Sequence, residues 1–125
     1  MREGVVEMLD EQNIEFVHLL ASLGVQRNVA KVITYLAVAG ESTSREIERG
    51  TDLRQPEVSI AMRTLRQENW VNEHEVKSEG KGRPHKVYTL TVPVDEIIKL
   101  IEEEKLKKSA EAMESIQKLK NLASS

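Results

Sequence analysis

Cysteine is absent from this 125-residue chain, which excludes disulfide scaffolds, thiol nucleophiles, thiol redox switches and every cysteine-ligated metal site. The three histidines, His18, His74 and His85, lie far apart without ligand spacing, so a histidine-built zinc site has little support. The longest nearly apolar stretch, Val29 to Ala39, is too short to span a bilayer. The first residues, MREGVVEMLDEQ, include acids where a secretory signal needs an apolar run. These absences predict a cytoplasmic domain with no cofactor, no metal and no membrane partner.

Length and composition indicate one polar domain with an uneven distribution of charge. A chain of 125 residues corresponds to a single domain and is long enough to bury a core. Hydrophobic residues make up 39% of the chain and charged residues 31%, and the net charge is −3. Residues 54–86 nevertheless contain seven Lys or Arg against five Glu. The acidic chain therefore carries one basic segment, and the location of this segment is more informative than the total charge.

Two amphipathic helices are predicted in the first forty residues. Apolar side chains recur at helical spacing over residues 5–23, and Gly24 is a suitable residue to end that helix. A second helical stripe covers residues 27–39 and is followed by Gly40. Each helix thus has both a periodic apolar face and a glycine stop signal.

A capping motif predicts a third, short helix. Thr43 is followed three residues later by Glu46, which is the spacing of a capping box, and the helix is expected to run to about Arg49. The next residues, Gly50-Thr51-Asp52, are predicted to form a turn.

Proline marks the start of a fourth helix. Pro56 suits a first helical turn because its missing N–H has no partner there, so Arg54 or Gln55 is the expected cap. The helix is predicted to extend to about Asn69. Its buried side is predicted to consist of Val58, Ala61, Met62 and Leu65.

The pattern then changes to a period of two. Residues 70–76 and 85–90 are predicted strands, joined by a glycine- and proline-containing segment that would form a long hairpin tip. Pro93 interrupts the chain, and helix is predicted again from Val94 to about Leu122. This order predicts a mainly α fold with a small β-hairpin wing: a winged helix-turn-helix with an added N-terminal helix and a long C-terminal helix.

The same segment carries a family resemblance. From Ser42 onward the chain resembles the helix-turn-helix of MarR-, ArsR- and TrmB-like transcription regulators, and it is most similar to the small winged-helix regulators of archaea. Asp52 stands where the family commonly has Gly, and Arg54 stands where a Ser or Thr cap is usual. The resemblance rests on Glu46-Ile47, Leu53, Gln55-Pro56, Val58-Ser59, Leu65, Trp70-Val71 and the wing residues Gly80 to Leu90.

The resemblance implies binding to double-stranded DNA, with the fourth helix in the major groove and the basic wing on the backbone or in the minor groove. Arg63 has the chemistry to recognise guanine, Gln55 to recognise adenine and Glu57 to accept from cytosine. Thr43 and Ser44 would offer donors to a phosphate. The predicted DNA-binding residues are Thr43, Ser44, Arg54, Gln55, Pro56, Glu57, Ser59, Ile60, Arg63, Lys77, Lys81, Arg83 and Lys86.

Each of these roles has an alternative. Arg63 and Arg66 can be solvated surface residues that pair with Gln67 or Glu68, and the wing cations can serve solubility alone. For Glu57, the alternative that is expected is the absence of a direct base contact. Trp70, where the chain leaves the helix for the strand, is expected to belong to the core.

The resemblance also implies a homodimer in which different segments of the chain serve dimerisation and DNA binding. Residues 1–24 and residues 93–125 are expected to dimerise, and residues 25–92 to form the DNA-binding domain. The alternative is a C-terminal helix that folds back over its own domain. Whether a small-molecule effector binds is left open by the sequence.

Two functional hypotheses follow, and a third is rejected. The first is a sequence-specific transcription regulator; the alternative is a winged-helix protein–protein interaction subunit of a transcription or chromosome complex. An enzyme is not expected, because no nucleophile–base pair is apparent and Gly80-Lys81-Gly82 falls in a hairpin tip instead of between a strand and a helix.

Overall fold

The computed structural model describes residues 10–77 and 84–125. The chain divides into two compact units, the first ending at Val94 and the second comprising Asp95–Ser125. None of the helices in the described residues is both long enough and apolar enough to cross a bilayer. The elements are α1 (Glu11–Ser22), α2 (Arg27–Ala39), β1 (Ser42–Thr43), α3 (Ser44–Thr51), α4 (Gln55–Gln67), β2 (Val71–Val76), β3 (His85–Leu90) and α5 (Val94–Ala123).

Helix α1 is shorter than predicted at its start and ends as predicted. Asp10 is extended and its carboxylate accepts the Asn13 amide at 2.9 Å, so it caps the helix instead of belonging to it. The rest of the predicted beginning lies outside the described residues. At the other end Gly24 has φ 102° and donates its N–H to the carbonyl of Ala21 at 3.1 Å. This left-handed glycine stops the helix, as the sequence predicts.

Helix α2 is the centre of the first unit. It contacts α1, α3, α4 and β3, and its hydrophobic side chains from Val29 to Leu36 are buried. The buried hydroxyl of Thr34 donates to the carbonyl of Ala30 at 2.8 Å, so no polar group is left unpaired at this site. The predicted boundaries, residues 27 and 39, are confirmed, and Gly40 follows with φ 78°.

The turn between α3 and α4 is tighter than predicted. Gly50 and Thr51 are the last residues of α3, and only Asp52 leaves the helix, with φ 60° and ψ 34°. Asp therefore adopts the left-handed conformation in the position where Gly is common, which its short polar side chain tolerates better than most. Leu53 then buries its side chain, and Arg54 is the N-cap residue of α4.

A three-stranded antiparallel sheet has the order β1-β3-β2. Strands β2 and β3 form the predicted hairpin, with Val71 opposite Leu90 and Val76 opposite His85. Strand β1 is not predicted from the sequence. It is two residues long, and Ser42 lies opposite Tyr88 across the ladder. The prediction that Trp70 belongs to the core is wrong, because this side chain is only half-buried.

Helix α5 spans 30 residues and confirms the predicted C-terminal helix. All of its residues from Glu102 onward are exposed, and four of its large apolar side chains are at least 62% exposed. A helix of this length is about 45 Å long. The strongly exposed apolar residues are Leu106, Met113, Leu119 and Leu122.

Candidate nucleic-acid interface

A groove of about 790 Å³ lies between α4, the start of α3 and the two wing strands. Val58 and Met62 are buried residues of α4 that lie at its floor. Its cationic side chains come from three separate elements, and one carboxylate is present among the described residues that line it. The lining residues are Thr43, Ser44, Arg45, Gln55, Val58, Ser59, Met62, Arg63, Arg66, Glu73, Pro84, His85, Lys86 and Tyr88.

The start of α4 is set by Arg54, Pro56 and Glu57. Arg54 is extended and is the N-cap residue, and Pro56 occupies the first turn, as predicted. The Arg54 amide donates to Oε1 of Glu57 at 2.8 Å. This is one half of a capping box; a guanidinium has no acceptor, so Arg54 cannot supply the other half. Glu57 therefore has a structural use that is distinct from the base contact considered for it.

The buried side of α4 is the predicted one. Val58, Ala61, Met62 and Leu65 are at most 2% exposed. The opposite side of α4 presents side chains to solvent beginning with its first residue, and it is the side that the sequence predicts to face DNA. Its exposed residues include Gln55, Glu57, Ser59, Ile60 and Arg63.

Two of the predicted DNA-binding residues are joined to each other. Nε2 of Gln55 donates to Oγ of Ser59 at 3.0 Å, one helical turn along α4. A glutamine amide has two N–H groups and a carbonyl, so Gln55 keeps one donor and its acceptor for a second partner. The pair orients the amide at the N-terminal end of the helix.

Helix α3 begins with a complete capping box. The Glu46 amide donates to Oγ1 of Thr43 at 3.2 Å, and the Thr43 amide donates to Oε1 of Glu46 at 2.9 Å. Ser44 donates to Oε2 of Glu48 at the longer distance of 3.4 Å. The Thr43 amide is thus engaged in the cap, whereas the Thr43 hydroxyl accepts there and keeps its O–H as a donor for another partner. The amides of the following first turn keep the N-terminal partial positive charge that attracts an anion.

The arginines of α4 differ in their partners. Nη1 of Arg66 lies 3.0 Å from Oε1 of Glu73, and Nζ of Lys86 lies 3.6 Å from Oε2 of the same carboxylate. The alternative in which Arg66 pairs with Gln67 or Glu68 therefore does not match the structure. Arg63 is exposed and lines the groove, and its guanidinium makes no ion pair or hydrogen bond with any residue the structure describes.

The groove brings together six of the predicted DNA-binding residues and leaves others outside it. Arg54, Pro56, Glu57 and Ile60 are exposed on α4 without lining the groove, and Lys77 is exposed just after β2. Lys81 and Arg83 lie outside the described residues. The six residues that line the groove are Thr43, Ser44, Gln55, Ser59, Arg63 and Lys86.

Arg45 and Glu73 line the groove but are missing from the predicted set. Arg45 follows the capping residue Thr43 by two positions, so the capping motif is the sequence signal that places Arg45 in the first turn of α3. Glu73 is the third residue of β2 and lies directly opposite Tyr88 in the β2–β3 ladder. Within residues 10–77 and 84–125 no group of three His, Asp or Glu side chains is arranged to hold a metal ion.

Comparisons with known proteins give a match at the level of structure. No model of a known protein family matches the sequence, and no curated protein does. MepR, a transcription regulator of the Staphylococcus aureus multidrug efflux pump MepA, is 17% identical with a TM-score of 0.52 over 90% of this chain and 86% of its own.

Two further solved structures give the same result. A MarR family transcriptional regulator from Silicibacter pomeroyi is 19% identical with a TM-score of 0.52, over 87% of this chain and 81% of its own. A possible transcriptional regulator from Methanosarcina mazei is 12% identical with a TM-score of 0.57, over 82% of this chain and 87% of its own. Together with the three-helix core and the β2–β3 wing, these similarities show that the chain has the winged helix-turn-helix fold.

Proposed function

We propose that this protein is a sequence-specific regulator of transcription that binds double-stranded DNA. The groove is the observation that carries the proposal: one concave surface combines the exposed side of α4, the start of α3 and the wing cation Lys86. The structural neighbours are named as transcription regulators, and none of those described above is named as an enzyme. A place among archaeal regulators, or nearer the ArsR- and TrmB-like groups, stays a prediction.

The groove suggests a division between base contacts and phosphate contacts. Arg63 is exposed and unpaired within the described residues, so its planar guanidinium is available for the two acceptors of a guanine edge. Gln55, held by Ser59, keeps a donor and an acceptor for adenine. The first turn of α3 and the wing residues Lys77, Lys81, Arg83 and Lys86 would hold phosphates, which fix register without reading sequence.

The test is a fluorescence-anisotropy titration with a random duplex and with duplexes selected for tight binding, at two salt concentrations. The wild type should bind all DNA in a salt-dependent manner and bind selected duplexes more tightly. Arg63→Ala should lose about 1–3 kcal/mol on selected duplexes and much less on random DNA, since a bidentate base contact is removed. Arg27→Ala, which removes an exposed arginine of α2 outside the groove, is the matched control.

The possible outcomes separate the two functional hypotheses. Equal losses in Arg63→Ala and Arg27→Ala would contradict base reading by Arg63. No binding by the wild type at low salt would contradict the regulator itself and favour the protein–protein interaction subunit.

We also propose that the protein is a homodimer through residues 1–24 and 93–125, with residues 25–92 as the DNA-binding domain. Helix α1 exposes Ile14 and Leu19, the next residue after the helix, Leu23, is exposed as well, and α5 exposes the four large apolar residues given above. A second copy is a partner that would remove such surface from water. In a dimer, two copies of α4, the recognition helix, would lie about one DNA turn apart. They would double the contact with an operator of two-fold symmetry.

A further inference from the structure

Glu73 holds an unusual position for a site that is to bind a polyanion. It is the one carboxylate among the described residues that line the groove, and both of its oxygens face cations. Oε1 lies 3.0 Å from Arg66 and Oε2 lies 3.6 Å from Lys86. The carboxylate thus links the recognition helix to the wing by neutralising one cation from each.

The strand register shows that this pairing is selective. Lys86 lies directly opposite Glu75 in the β2–β3 ladder, and Glu73 is the diagonal neighbour of Lys86. Among the described residues, however, the Lys86 ammonium makes its ion pair with Glu73. The Glu73 side chain is 31% exposed, less than Arg66 at 45% or Lys86 at 58%. Glu73 is therefore the least exposed side chain of the three.

Arg66 and Lys86 are placed for phosphates and not for bases. Arg66 lies in the last turn of α4, three turns from the N-terminal end that reaches base edges, and Lys86 belongs to the wing. Guanidinium and ammonium groups bind phosphate oxygens with the same charge-assisted hydrogen bonds that they make with a carboxylate. A DNA phosphate and the Glu73 carboxylate are consequently alternative partners for the same two cations.

We propose that Glu73 is an intramolecular competitor of the DNA phosphate. The inference rests on the proposed function, because it assumes that the groove binds DNA. Before binding, the carboxylate satisfies Arg66 and Lys86; on binding, a phosphate must displace it, and the displaced charge then repels the backbone. Glu73 lowers affinity for every duplex by the same factor, so it weakens DNA binding without changing the ratio of affinities between selected and random duplexes.

The substitution Glu73→Gln removes the charge and keeps an oxygen that accepts from Arg66, so the geometry of the groove is retained. Affinity for a random duplex should rise about three- to tenfold, and affinity for a selected duplex by the same factor. The slope of log K against log salt should steepen by about 1, since the groove then presents one more net positive charge to the phosphates.

Glu75→Gln is the matched control, because it makes the same charge change on the same strand face without touching the Glu73 ion pairs. Its effect should be smaller and its salt slope close to that of the wild type. Adding Arg66→Ala to Glu73→Gln should remove part of the gain, because one of the released cations is then missing.

Three results would overturn the inference. If wild type binds DNA and Glu73→Gln behaves like Glu75→Gln, Glu73 is not a competitor, while the proposed function stands. If Glu73→Gln binds DNA more weakly than wild type, the carboxylate assists binding instead of opposing it. If wild type binds no duplex at low salt, the proposed function fails and the inference fails with it.

Discussion

The ring of Tyr35 occupies the space in which a side chain at Gly50 would begin. A Cβ built on Gly50 would overlap the Tyr35 ring atoms Cε1, Cδ1 and Cζ. Both residues are buried, Tyr35 in the central helix α2 and Gly50 in the last turn of α3. The absence of a side chain at Gly50 therefore determines how closely α3 packs on α2.

We predict that Gly50→Ala destabilises the protein although alanine is the better helix former. Overpacking a filled core costs about 1–3 kcal/mol, which exceeds the gain of about 1 kcal/mol in helix propensity. Urea unfolding of Gly50→Ala, of Tyr35→Leu and of the variant with both substitutions would measure the coupling between the two positions. The loss from Gly50→Ala should shrink when Tyr35 is Leu; an equal loss in both backgrounds would rule out the steric explanation.

The comparison of sequence and structure is clearest for α4. The period of 3.6 predicts its buried side correctly, because Val58, Ala61, Met62 and Leu65 pack by virtue of their spacing alone. The partner of Arg66 is not predicted, and the alternative that pairs it with Gln67 or Glu68 does not match the structure. Gln67 and Glu68 are near in sequence, but residues one and two positions apart on a helix point in different directions.

Features that depend on tertiary contacts are the ones the sequence does not show. Glu73 reaches Arg66 only because β2 folds back along α4. Strand β1 has two residues, too few for an alternating pattern, and exists through its pairing with β3. The start of α1 is different, since Asp10 offered a capping signal that the apolar periodicity of residues 5–23 obscured.

A second prediction concerns whether Glu57 acts through the helix cap. Glu57→Ala removes the acceptor of the Arg54 amide and should cost about 1 kcal/mol of unfolding free energy. Glu57→Gln keeps an acceptor at the same position and should cost much less. Both values come from urea unfolding monitored by circular dichroism.

The matching DNA measurement separates capping from base reading. With Glu57→Ala, which removes the acceptor, affinity should change by a similar factor on duplexes that differ only at single C·G positions, because a capping carboxylate does not discriminate bases. A loss confined to one C·G position would instead show that Glu57 accepts from a cytosine.

A third prediction tests the homodimer through α5. Met113 is 62% exposed, and Asn121 lies eight positions further along α5, about 80° around the helix and on the side without any of the four strongly exposed apolar residues. Met113→Glu would place a charge in an apolar contact between copies, whereas Asn121→Glu adds the same charge on the polar side of α5. Sedimentation at matched protein concentration should give a dimer for wild type and Asn121→Glu, and a monomer for Met113→Glu.

Loss of the dimer should also weaken DNA binding, because only one recognition helix would then engage each site. The helical circular dichroism of Met113→Glu should stay close to that of wild type, since Met113 is not part of a packed core in the chain itself. A dimer that persists in Met113→Glu would show that α5 does not associate through this side. A wild type that sediments as a monomer would contradict the homodimer, and the exposed apolar residues of α5 would then have to meet a different partner.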